Sequence, residues 1–148
     1  MATKPIEKIE KSLVSFGTVK ASNTILKGEA VKWSSGELVP VTAVTDNAVG
    51  IAIDAGNGDV TDSHVSGGVY NKIRYLPLGC NAIVLCLVGS AGATQGAPAK
   101  WGTTAGAIDA TVGGGTTKLR ILGSFVETGV SGDYVGLNVA DASWSVGS

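Results

Sequence analysis

Lys27-Gly28-Glu29-Ala30-Val31-Lys32-Trp33 returns later in the chain as Gln95-Gly96-Ala97-Pro98-Ala99-Lys100-Trp101, Trp101 standing 68 residues after Trp33. Each copy sets a glycine ahead of a short alternating stretch that ends on tryptophan. Two further pairs follow in the same order. Val49-Gly50-Ile51-Ala52-Ile53-Asp54 is matched by Leu122-Gly123-Ser124-Phe125-Val126-Glu127 at an offset of 73, and Gly58-Asp59-Val60 by Gly132-Asp133-Tyr134 at 74. Three matches in one order, with a slowly drifting offset, describe a unit used twice. The drift implies loop insertions in the second copy, mostly around Gly113-Gly114-Gly115.

Outward from the repeat the hydrophobic period is two, the mark of strands. Segments 37–41, 48–53, 69–76, 118–127 and 134–139 read this way, with turn signals between them at Ser34-Ser35-Gly36, Gly56-Asn57-Gly58, Gly67-Gly68 and Ser131-Gly132-Asp133. Residues 81–88 are apolar throughout, as expected of a buried strand covered on both faces. Many short strands at close spacing imply an all-β sandwich or barrel. The division that follows is an N-terminal arm, 1–16, and a β-domain, 17–148. Its halves, about 17–76 and 89–148, are joined by the buried strand 81–88.

The arm has another character. Ile6, Ile9, Leu13 and Phe16 fall at helical spacing, Pro5 suits a first turn, and Glu7 to Lys11 is the favourable i,i+4 orientation. A short helix is expected there, folded on its own barrel or docked on a neighbour. Trp33 and Trp101 hold equivalent positions, which favours a shared packing role between the halves over an exposed platform.

Composition narrows the function. A chain of 148 residues buries roughly 70% of its unfolded surface, enough for one core without a metal or disulfide. Its 22 glycines are about twice the usual ~7%. Eleven basic and 12 acidic residues leave a net charge of −1 and no basic stripe, so nucleic acid is not an expected partner. Charges at Lys4, Glu7, Lys8, Glu10 and Lys11 occupy the place of a signal-peptide core, and no apolar run is long enough to span a bilayer. Cys80 and Cys86, about 20 Å apart on one straight strand, cannot bridge each other and read as small buried hydrophobes.

No catalytic or cofactor site assembles. His64 lies in a polar segment away from the apolar stretch that holds both cysteines. Asp46, Asp54, Asp59 and Asp62 lack EF-hand spacing and read as turn carboxylates, not metal ligands. Gly113-Gly114-Gly115-Thr116-Thr117-Lys118 lacks the ending of a phosphate loop and precedes a strand. An enzyme is therefore not expected.

The order Lys27-Gly28-Glu29-Ala30-Val31, Gly36, Leu38-Val39-Pro40-Val41, Val49-Gly50-Ile51-Ala52 and Gly58-Asp59 resembles that of capsid-cement or head-decoration proteins of tailed bacteriophages. Gly96, Gly123 and Gly132-Asp133 echo it, and the resemblance spans about residues 17–140. It implies a small β-barrel or β-tulip-like body without an active site, often a homotrimer, on the capsid exterior of the virion. The implied partners are the major capsid protein and other copies of the chain, made in the host cytoplasm. A mean hydropathy of +0.28 fits a protein with surface covered by neighbours. Ile6, Ile9, Leu13, Phe16, Trp33 and Trp101 are the candidate interface residues. The alternative is a ligand-binding β-module, for carbohydrate or adhesion, which needs at least one exposed tryptophan on a concave face.

Overall fold

The computed structural model describes residues 7, 9, 13–60, 70–101, 108–110 and 118–146. Among these residues there is no α-helix; the chain is all-β. The repeat in the sequence is a repeat in hydrogen bonds. Gly28 and Gly96 both adopt left-handed backbone, φ 86° and 82°, a conformation that costs other residues about 1–2 kcal/mol. Gly28 N–H donates to Ala52 O and Gly96 N–H to Phe125 O, both at 2.8 Å. The next residues, Glu29 and Ala97, donate back to Leu26 O and Thr94 O and close matching turns.

From these turns the two copies build sheets of identical topology. The first joins β1 (Ser15–Thr18), β3 (Ala30–Ser34), β4 (Glu37–Pro40), β5 (Gly50–Ala52) and β7 (Lys72–Pro77) in the spatial order β4-β3-β5-β7-β1. The second joins β8 (Ile83–Leu87), β9 (Pro98–Trp101), β10 (Ile108–Ala110), β12 (Gly123–Phe125) and β13 (Tyr134–Asn138) as β10-β9-β12-β13-β8. All named pairings are antiparallel. Neither sheet closes into the expected barrel. Each pair of edge strands touches at a single parallel bridge, Val19 with Leu38 and Val88 with Ile108. Minor ladders flank the sheets, β2 (Thr24–Ile25) with β6 (Gly56–Asn57) and β11 (Lys118–Ile121) with β14 (Ser143–Val146).

This correspondence corrects three expectations. Residues 81–88 are not a joint between halves, because β8 is the counterpart of β1 and opens the second copy. It lies at a sheet edge and buries only one face fully: Val84 and Cys86 are buried, while Ile83, Leu85 and Leu87 are half-buried. The drift in offset also conceals a larger change. Ile51 pairs with Leu76, 25 residues on, whereas Ser124 pairs with Asn138, only 14 on, so the first copy has 11 extra residues here. The expected insertion in the second copy is present as well, between β10 and β12, where β11 lies.

The third correction concerns the joint itself, where the equivalent Trp33 and Trp101 were expected to share a packing role between the halves. The interior of the first half holds Val19, Ile25, Val31, Leu38, Ala52, Ile73 and Tyr75. Their counterparts Val88, Ala93, Ala99, Ile108, Phe125, Val135 and Leu137 are buried in the second. On the outer face of the first sheet, Ala30, Ile51 and Leu76 are buried too, in one cluster with second-half residues such as Val84, Leu122 and Val139. The counterparts of that outer face are Pro98, which is exposed, and Ser124 and Asn138, half-buried. One half contributes the outer face of its sheet, and the other contributes β8 and its surroundings. Like surfaces do not meet.

A buried carboxyl sits beside this joint. Glu29 accepts a hydrogen bond from Leu26 N–H at 2.7 Å, and burial raises its pKa against that bond. The folded chain thus holds this proton to higher pH than the unfolded chain. Glu29 favours folding below the unfolded carboxyl range and loses that contribution as pH rises through its folded pKa. Glu29→Gln keeps an acceptor and removes the charge. In urea titrations it is expected to be more stable than the parent near pH 7, by about 1 kcal/mol, and to converge with it under acid. A gap independent of pH would overturn this reading.

Candidate interaction surface

The ionisable groups singled out in the sequence are tied into the fold one at a time. Asp54 accepts from two of the Arg74 guanidinium nitrogens, Nε at 2.9 Å and Nη2 at 2.7 Å, and this pairing holds its carboxyl below the usual range. Asp46, against the cost of burial, is held low by Lys32 at 2.8 Å and by the N–H groups of Thr42 and Ala43. Asp59 accepts from Ser22 N–H. Among the described residues no three His, Cys, Asp or Glu side chains gather as a metal site. Burial pushes the Cys86 thiol up to about 12 and also raises that of Cys80, whose Sγ lies 3.0 Å from Pro77 O. Such thiols stay protonated at neutral pH. Asp62, His64 and residues 113–117 lie outside the described residues.

The five candidate interface residues that the structure describes stand in different environments. Ile9 and Leu13 pack half-buried against the shared core. Phe16 belongs to strand β1, not to a helix, and is 60% exposed. Ile6 lies outside the described residues, as does most of the expected arm helix. Trp33 is 44% exposed and stands edge-on to Tyr75, with ring centroids 5.9 Å apart. Trp101 is half-buried against the shared core, and its buried indole N–H has no partner among the described residues. Equivalent position has not given these tryptophans the same environment. Trp144, 39% exposed, lies under the Arg120 guanidinium at 5.2 Å.

Two features escaped the sequence reading. A surface groove of about 540 Å³ runs between the arm and the first half, lined by Glu7, Ile9, Lys27, Ile53, Asp54 and Arg74. The second is the junction at the edge of β8. Leu87 N–H donates to Gly28 O at 2.9 Å, and Leu85 N–H donates to the Glu7 carboxylate at 3.3 Å. A carboxylate and a carbonyl thus cover two donors of an otherwise open edge, the protection such strands need. The available signal was the glycine at 28; nothing in the spacing marked β8 as its partner.

No family model and no curated protein matches this chain. Among solved structures, the crystal structure of the head fiber gp8.5 N base of bacteriophage phi29 aligns with 87% of this chain and 96% of its own. The TM-score is 0.58 and the identity 17%. The fold is similar to that of a phage head-fibre base. The head-fibre base aligns over nearly its whole length, so the likeness takes in both halves of the repeat. At this identity it speaks for the path of the backbone.

Proposed function

We propose that this chain is a non-enzymatic structural protein of a tailed-phage head, a decoration protein binding the outer surface of the shell. The observation that carries the proposal is the shared fold with the head-fibre base across both halves. The major capsid protein is the partner, and copies of the chain act together as a trimer. Carboxylates engaged in turns and protonated thiols suit a passive, rigid body. On a symmetric shell, weak contacts by each copy multiply through avidity. The test is binding of the purified protein to expanded heads and to unexpanded precursors, with the thermal resistance of each recorded. Binding to expanded heads with increased resistance is expected, and no binding to any form of the head would overturn the proposal.

The partial exposure of Trp33 and Trp144 favours a second reading, a carbohydrate-binding or adhesion module. Trp33→Ala separates the two. It would weaken glycan binding under the second reading, whereas under the first the parent itself binds no glycan.

A further inference from the structure

The two sheet edges that open the two halves are treated differently. Val19 N–H donates to Asn71 O and Val88 N–H to Asp133 O, so the strands align residue by residue: Phe16 with Leu85, and Thr18 with Leu87. Because donors alternate along a strand, the N–H groups of Phe16 and Thr18 point away from β7, as those of Leu85 and Leu87 point away from β13. On β8 both outward donors are covered, by Glu7 and Gly28. On β1 the same two residues are exposed, and Phe16 is 60% open. The acceptor side shows the same imbalance. Gly28 is buried against Leu87 and Tyr134, whereas a Cβ on Gly96 would meet nothing within 4 Å. Among the described residues, each chain therefore carries one open edge and one open turn, whose counterparts already bind each other within the molecule.

We propose that the Gly96 turn and the outer face of the second sheet form a weakened copy of the surface that holds β8. Its occupant is the β1 edge of a second copy of this chain. Thr18 N–H then takes Gly96 O as Leu87 N–H takes Gly28 O, and Phe16 lies beside Pro98. The contact is head to tail, because the two surfaces are unlike, so it builds closed rings or open filaments according to its rotation. The flanking face decides its strength. Where the intramolecular contact buries Ala30, Ile51 and Leu76, the intermolecular one has Pro98, Ser124 and Asn138. Lacking that apolar area, the contact between copies is weak and reversible, and concentration on a shell would favour it further. It needs no capsid, so its failure would leave the head-binding proposal standing, and the reverse also holds.

The test is sedimentation over a range of concentration, with folding checked by calorimetry. The parent is expected to rise reversibly from its 14.8 kDa monomer mass. The double variant Ser124→Ile, Asn138→Leu restores the apolar pair found in the first half and is expected to shift assembly to at least tenfold lower concentration. Adding Thr18→Pro, which removes the edge donor, is expected to return it to monomer. In a mixture of Thr18→Cys and Gln95→Cys chains, a disulfide is expected between the two kinds and not within either alone. A parent that stays monomeric throughout overturns the proposal. So does a folded double variant with no gain, or one indifferent to Thr18→Pro.

Discussion

Gly28→Ala is expected to destabilise the chain by about 3–4 kcal/mol, and Gly96→Ala by about 1–2 kcal/mol. Both residues hold the same left-handed conformation, so the backbone term is shared. The difference is the neighbour. A Cβ on Gly28 would lie 2.6 Å from Leu87 N and 3.0 Å from a Tyr134 ring carbon. The backbone of β8 must then move, and the Leu87–Gly28 hydrogen bond is lost with it. At Gly96 the added methyl enters open space. Chemical denaturation of the two variants measures the gap directly, and equal losses would mean that the halves do not meet at Gly28.

The second large effect concerns cooperativity. Phe125 in the second half and Leu76 in the first are fully buried in one continuous cluster. Phe125→Ala is expected to cost about 3–5 kcal/mol and Leu76→Ala about 2–5 kcal/mol, from lost burial and the cavity left behind. At this chain length such losses lower Tm by roughly 10 °C. Because the cluster spans both halves, each variant is expected to shift one calorimetric transition and leave it single. Two resolved transitions in either variant would show that the halves have separate cores and that the shared cluster does not couple them.

The position of these residues explains what could be read without coordinates. Alternating burial is a local property, so period-two segments announced strands such as β7, where Ile73 and Tyr75 face inward between exposed Lys72 and Arg74. The paired glycines at 28 and 96 were legible because a left-handed turn leaves a residue-type signature. In the arm, the apolar spacing of Ile6, Ile9, Leu13 and Phe16 predicts one helical face, whereas Phe16 sits on a strand and points away from the core. The 11-residue difference between β5 and β7 was hidden because the third sequence match, at Gly58 and Gly132, lies before the chain rejoins the sheet.

Sequence alone determined that the chain is all-β, that it uses one unit twice, and that matched glycines mark both units. These follow from backbone sterics and side-chain alternation, which act between near neighbours. Only the tertiary structure decided where the second unit begins and which surfaces of the two halves meet. Ile51 and Ser124 occupy the same place in the repeat, yet one is buried and the other is not. That difference acquires meaning only when β8 is seen beside the first sheet, because burial of an outer face depends on what the rest of the chain lays against it. The same arrangement leaves β1 and the Gly96 turn open, and it is there that the next copy is expected.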